Sequence, residues 1–557
     1  MKKTMLAVLL VVGLGATACS GDPEPRDPDT GTKTADPGQT AEGHEDARRY
    51  FEDYEEAADE DGAAVGGAPS AVDSSQGESA ADASEPMPVP PGPMPPGPPP
   101  GPGEDNEFTD VGDTRWVAAQ ESPQSTFALD VDTGSYRVAQ AQATEGLAPE
   151  PDSIRVEEWV NSFAYADSSP EQTALGLQVE TGAAPRAEDG TALVRVGISA
   201  QDVADEDRPP ANITFVIDTS GSMDIRERLG LVKSSLALLA ESLNEDDTIA
   251  IVTYGDDAEP VLEPTKVADR DTIIGAIDDL TSGGSTNMEA GLRMGYEQAR
   301  EAHVEDGINV VVLASDGVAN VGMTDGDALA DEIAGAGEEG IHLVTVGYGM
   351  GNYNDTLMES LANQGDGFYA YLDTFEEAEQ LFVEDLTQTL TVVARDAKSQ
   401  VEFDPELVES YRLIGYQNRA LEDDEFRDDT VDAGELGAGH RVSALYELIP
   451  TDGVTDGAAV GEARLRWADP ESGETTEVNA PITWSQDEPS QTLRLAALVA
   501  DSAELLKGNS IVTERGTTLE ELRTEAESLA AEDVDGVEEL LGLLDADLEL
   551  SEQPSDD

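Results

Sequence analysis

Between Asn212 and Leu390 four short, unbroken apolar runs (Ile213 to Ile217, Ile249 to Val252, Val310 to Leu313 and Leu343 to Val346) alternate with stretches of helical spacing. Runs of this length without polar alternation do not suit a strand that has one wet face. They suit strands covered on both sides, as in a mainly parallel sheet between helices. After the first run, Ile225, Leu229, Val232, Leu236, Leu239 and Leu243 fall three and four apart, which predicts a helix with one face on the sheet. Another helix is predicted to open at Thr374, with Glu377 completing a capping box, and to run through Leu381 to Leu390. The fold class is α/β, and it begins at Pro209-Pro210.

The first apolar run ends in Asp218-Thr219-Ser220-Gly221-Ser222-Met223. In an extended loop, residues two apart point the same way, so Asp218, Ser220 and Ser222 can aim three oxygens at one point. Open α/β sheets place ligands beyond the carboxyl ends of their strands, where this loop lies. Two more oxygens come from separate loops. Thr286 sits in Gly283-Gly284-Ser285-Thr286, and Asp316 follows the run Val310 to Leu313 and precedes Gly317. Alone, Asp-x-Ser-x-Ser reads as a helix cap. With Thr286 and Asp316 added, all five groups are hard oxygen donors.

The Asp-x-Ser-x-Ser loop, the later Gly-Ser-Thr and the strand-terminal Ser-Asp-Gly resemble the metal-ion-dependent adhesion site of von Willebrand factor A-type (VWA) domains. The resemblance implies a Rossmann-like VWA fold in which Ser220, Ser222 and Thr286 bind the ion directly, with Asp218 and Asp316 coordinating directly or through water. It implies Mg²⁺, with Mn²⁺ or Ca²⁺ able to substitute. It also implies a protein partner whose Glu or Asp carboxylate fills the open position on an under-neutralised dication.

The flanks resemble the YfbK-type bacterial lipoproteins that carry such a domain. Upstream this rests on Ser125 to Thr133 and on Arg155-Val156-Glu157-Glu158. Downstream it rests on Tyr411 to Tyr416, Asp432 to Glu435 and Gly439 to Tyr446. The expected organisation is a lipoprotein signal (1–19), a disordered acidic and Pro-rich linker (20–107), an N-terminal flanking domain (108–208) and the VWA domain (209–395). A β-rich flanking domain (396–490) and a helical segment (491–550) follow. Alternating strands at Ala192 to Ile198 and Arg441 to Leu448 further suggest one β-rich unit completed from both flanks, with the A domain inserted into it.

Lys2 and Lys3, an apolar run from Met5 to Leu14 and small residues up to Ala18 read as an export signal. Cys19, the single cysteine, follows at the cleavage position and is the expected lipidation site; it also excludes disulfides within the chain. The protein is thus expected on a cell membrane or outer membrane, lipid-anchored and facing the periplasm or exterior. Pro86 to Gly103 is almost pure Pro and Gly, a stalk of polyproline type. A net charge of −87 excludes nucleic acid as a partner.

Catalysis has little to work with. His44, His303, His342 and His440 are too scattered for a zinc motif, and Ser220 lacks the Gly-x-Ser-x-Gly elbow. Asp130 and Asp132 read as a strand-end turn, and Glu289 as an exposed helical residue that falls near the metal rim. The chain is expected to be a non-catalytic, surface-anchored binding protein. The alternatives are a metal-dependent hydrolase and an envelope scaffold docking to an ATPase or complex.

Overall fold

The computed structural model describes residues 44–54, 108, 112–129, 131–187, 190–204, 208–305, 307–316, 326–349, 355–431, 433–470 and 472–552. The export signal, Cys19, the Pro-Gly stalk and Asp130 lie outside the described residues. The linker expectation is corrected at one place, because α1 (Glu45–Glu52) is a helix inside it. Ala47, Tyr50, Phe51 and Tyr54 fall three and four apart and pack on the A-domain core, which gives this short segment a face to bury.

The upstream flank contributes β1 (Val117–Ala118), β2 (Gln124–Ala128), α2 (Gly134–Thr144), α3 (Val156–Asn161), β3 (Leu175–Ala183) and β4 (Ala192–Ala200). The A domain follows with β5 (Ala211–Asp218), α4 (Leu231–Ser242), β6 (Thr248–Tyr254), β7 (Ala258–Lys266), α5 (Arg270–Asp278), α6 (Met288–Glu301) and β8 (Ile308–Ser315). It closes with α7 (Gly326–Glu338), β9 (His342–Tyr348), α8 (Asp355–Gln364), β10 (Tyr369–Leu372), α9 (Phe375–Glu379) and α10 (Leu386–Leu390). Its six strands run in the order β10-β9-β8-β5-β6-β7, all parallel except the edge strand β7. Every residue of β5 and β8 is buried, as their unbroken apolar runs require. Helix formation departs from expectation at two points. Arg226–Gly230 and Gln380–Glu384 are π-helical turns, so neither predicted helix is continuous. The capping box at Thr374 and Glu377 is present.

Downstream come β11 (Val392–Phe403), β12 (Val408–Ile414), β13 (Ala420–Leu421), β14 (Gly434–Gly437), β15 (Arg441–Pro450), β16 (Ala459–Ala468) and β17 (Thr475–Thr483). Helices α11 (Gln491–Lys507), α12 (Ser510–Arg515), α13 (Leu519–Ala530) and α14 (Val537–Glu552) end the chain. The flanks form one β-rich unit around the inserted A domain, as the alternating strands suggest, and not the two separate flanking domains 108–208 and 396–490. One sheet has the order β1-β12-β15-β4-β3 and the other β13-β2-β11-β16-β17, so each mixes strands from before and after the A domain. Their shared core includes Phe127, Val196, Val401, Tyr446 and Trp467. The drawn boundary also shifts, because β11 already starts at Val392.

The two ends of the insert meet at one turn: the Gly439 N–H donates to the Gln201 carbonyl at 3.0 Å and the Ala438 N–H to the Thr391 carbonyl at 2.7 Å. Charged groups line the seam between insert and host. Asp132 accepts from the Tyr369 N–H at 3.0 Å and pairs with Arg419 at 3.1 Å, while Arg155 pairs with Glu359 of α8 at 3.2 Å. Asp132 lies in the connection that follows the end of β2, and its burial makes it a tie across the seam as well. Gly415 explains part of the Tyr411 to Tyr416 motif: its φ is +82°, and a side chain there would sit 2.8 Å from the Glu157 backbone nitrogen. Among the described residues no helix is long and apolar enough to cross a membrane.

Candidate metal centre

The chain leaves β5 toward β6 on one side, while β8 continues to β9 on the other, so the connections diverge between β5 and β8. Such a switch point leaves a crevice beyond the carboxyl ends of the strands. Asp218 ends β5, Asp316 follows β8, and the register pairs Ile217 with Ala314. Both carboxylates are fully buried. Ser315 Oγ donates to Asp218 Oδ2 at 3.1 Å, and the Ser220 N–H donates to Asp218 Oδ1 at 2.8 Å. One aspartate thus braces both the neighbouring strand and its own loop. The Ser220 and Ser222 hydroxyls turn to the same side, with Oγ atoms 3.0 Å apart, across a single 3-10 turn whose Met223 is buried.

Thr286, also buried, arrives on the loop between α5 and α6. The Gly283 N–H donates to the Thr219 carbonyl at 2.6 Å and the Asn287 N–H to the Gly255 carbonyl at 2.9 Å. These bonds tie the loop, on either side of Thr286, to the ends of β5 and β6. Gly284 takes a φ of +97°, which glycine enters without strain. Beside it, Asp256 Oδ1 accepts from Ser285 Oγ at 2.7 Å and from the Ser285 N–H at 3.0 Å, which holds that carboxyl below its usual range.

Arg228 is the site residue that sequence reasoning missed. It lies in the π-helical turn Arg226–Gly230, buried, and its Nη1 donates to Asp316 Oδ2 at 2.7 Å and to the Ser222 carbonyl at 2.8 Å. One guanidinium therefore links the first loop to the strand end that carries Asp316. A π turn inserts an extra residue into a helix and re-aims the side chains around it. In the sequence, Arg228 is simply one of two arginines at the start of an amphipathic helix, and nothing marks it as internal.

The electrostatics favour a cation. Burial, and then the charge of Asp316, push the Asp218 carboxyl up to about 6, against the hydrogen bonds from Ser220 and Ser315. Two buried carboxylates face one guanidinium, which leaves the crevice short of positive charge. Among the described residues no three His, Cys, Asp or Glu side chains gather as a metal cluster. Any cation here therefore depends on hydroxyl ligands, and the donor set of carboxylates and hydroxyls fits a small hard ion. Glu289 points elsewhere, paired with Arg293 at 3.2 Å. His303 sits 3.3 Å from the Glu339 carbonyl, while His342 and His440 both line a small cavity at the seam.

The von Willebrand factor type A domain family matches residues 212–384, and the family described as uncharacterized protein YfbK, C-terminal, matches residues 388–549. A third family, described as von Willebrand factor, matches residues 102–195, upstream of β5. YfbK of Escherichia coli K12 is 37% identical over 441 residues, covering 75% of this chain and 76% of that protein. An uncharacterized protein of Synechocystis sp. is 25% identical over 294 residues, covering 52% of this chain and 69% of that protein. Among solved structures, von Willebrand factor type A from Catenulispora acidiphila is 16% identical with a TM-score of 0.39, covering 67% of this chain and 90% of that one.

Proposed function

Because this chain belongs to the YfbK family of bacterial proteins built around a von Willebrand A domain, whose general role is protein interaction, we propose that it binds a partner protein through a divalent cation, without catalysis. Ser220, Ser222 and Thr286 would hold Mg²⁺ directly, with Asp218 and Asp316 direct or one water away. A Glu or Asp carboxylate of the partner would complete the coordination. The observation that carries this reading is the meeting of Asp218, Asp316 and the paired Ser220 and Ser222 hydroxyls in one crevice at the switch point of the sheet. Lipid attachment at Cys19 would place the binding face on the envelope surface, beyond the Pro-Gly stalk.

The test is thermal unfolding of the mature chain with and without Mg²⁺ or Mn²⁺, beside Asp218→Ala. Metal at a hundredfold over its dissociation constant adds about 2.7 kcal/mol to the A domain. For a domain of this size that is a shift of roughly 5–10 °C. The shift is expected in the parent and absent in the variant; its absence from both sinks the metal reading. For the anchor, Cys19→Ala is expected to move the protein from the membrane fraction to the soluble fraction.

A further inference from the structure

Helix α1 lies in a groove on the A domain, bordered by α4, α5 and α9, that reaches to the metal loop. Ala47 is fully buried, and its carbonyl accepts from Ser234 Oγ of α4 at 2.9 Å. Arg48 stacks over the Phe375 ring at 4.0 Å and donates to Glu376 at 3.0 Å. Tyr50 Oη donates to Asp278, the last residue of α5, at 2.7 Å. Further contacts fall on the segment that joins Ser222 to Arg228: Tyr54 Oη donates to Asp224 Oδ1 at 2.8 Å, and the Arg226 guanidinium covers the Phe51 ring at 4.8 Å. The groove is cut to this occupant at Gly230, where a side chain would lie 3.1 Å from the Tyr54 ring and 3.3 Å from the Tyr50 carbonyl.

A single eight-residue helix is marginal in water. Its order must come from docking. Charge points the same way, since Arg48 and Arg49 are adjacent cations in a chain with 118 acidic and 31 basic side chains.

We propose that this groove is a helix-docking site whose occupant is α1 of the same chain, and that α1, while docked, holds the loop bearing Ser220 and Ser222 in place. Release of α1 melts the helix and at the same time removes the Tyr54 hydrogen bond from Asp224 and the Phe51 ring from under Arg226, so docking and loop order are coupled in both directions. The coupling to the loop hydroxyls rests on the metal reading above only in its consequence for cation affinity; the docking itself does not.

The experiment is hydrogen–deuterium exchange on the mature chain in EDTA, comparing the parent with Arg48→Glu/Tyr54→Ala and with the milder Tyr54→Phe. Amides of residues 46–54 are expected to be protected in the parent and unprotected in the double variant. Amides of 224–231 should then exchange roughly tenfold faster, while β5 and β8 stay protected. Tyr54→Phe is expected to speed 224–231 alone. Coil-like exchange of 46–54 in the parent overturns the proposal, as does an unchanged 224–231 segment in the double variant. Protection of 46–54 that rises with protein concentration assigns the groove to a second copy and overturns it as well. A Mg²⁺ titration then gives a dissociation constant expected to change roughly threefold in the double variant. No Mg²⁺ binding in the parent would end the metal reading and leave the exchange result to decide the docking.

Discussion

The Arg228 guanidinium donates to Asp316 across 2.7 Å while both side chains lie out of water. Breaking a buried pair by removing one partner costs about 3–5 kcal/mol, because the remaining charge loses its counterion. Arg228→Met is therefore expected to lower the melting temperature of the metal-free chain. Mg²⁺ should recover more stability in the variant than in the parent, since the cation then replaces the lost charge. Calorimetry with and without Mg²⁺ checks this, and equal Mg²⁺ shifts in the two proteins would show that guanidinium and cation do not share the site.

Acid should loosen the seam between insert and host. His342 Nε2 faces Arg395 Nη2 at 3.2 Å, and His440 Nδ1 accepts from the Gly437 N–H at 3.1 Å, so both nitrogens act as acceptors and both rings are neutral. Lost hydration, then the charge of Arg395 for His342 and of Arg441 for His440, push each ring down to about 4 from its ordinary 6.5. Between those values the unfolded chain binds more protons. The stabilisation is thus complete above pH 6.5 and is lost as pH falls through 4. Both rings keep some contact with water, which limits each contribution to about 1–3 kcal/mol. The melting temperature is expected to fall from pH 7 to pH 4.5, and His342→Gln/His440→Gln to flatten that slope. An unchanged slope in the double variant would assign the acid sensitivity to carboxylates.

Arg412 is fully buried between β15 and α11, donating to Glu447 at 2.7 Å and to both Glu504 oxygens at 2.6 and 2.9 Å. Arg412→Ala is expected to cost about 3–5 kcal/mol in urea unfolding. Glu447 also accepts from Arg515, so removing the other carboxylate as well leaves no new unpaired charge. Arg412→Met/Glu504→Met should accordingly recover most of the loss. A double variant as unstable as the single one would mean that the pair contributes through shape and not charge.

β4 is held between β3 and β15, and its Val194, Val196 and Ile198 face the shared core. A chain lacking residues 396–490 leaves β4 with β3 alone. Limited proteolysis is expected to cut within Ala192–Ala200 well before it cuts the parent there. Equal survival of that segment would show the upstream flank folding by itself.

The parts of this architecture that rest on local pattern were legible in the sequence. β5 and β8 show as unbroken apolar runs, the capping box shows as Thr374 and Glu377, and the loop hydroxyls show as Ser220 and Ser222 at a spacing of two. Long-range pairing was legible only as far as one β-rich unit completed from both flanks, with the A domain inserted into it. Alternation at β4 and β15 predicts two strands, but nothing local says that Tyr446 pairs with Val194 across the whole A domain. Arg228 was hidden for another reason, because its burial follows from a π turn and the register of Leu229 alone would leave it on a solvated face. α1 was masked by composition: four apolar or aromatic positions in an acidic stretch carry too little hydrophobic weight until the groove over Gly230 is there to receive them.

The meeting of Gln201 and Thr391 at one turn gives the folded insert a part in closing its host. As an unfolded loop, the roughly 190 residues between them would cost about 4–5 kcal/mol to close. Once the A domain has folded, its ends already lie side by side and that cost has been met, so β2 can find β11 and β4 can find β15 as if they were near neighbours in a much shorter chain. The insert is therefore expected to fold first, with the host closing around its ends. All four tryptophans, Trp116, Trp159, Trp467 and Trp484, belong to the host, so their fluorescence reports the host alone, and a tryptophan signal that leads the far-UV circular dichroism would reverse the order. On that order, the outer half closes only after the inner half has left the coil.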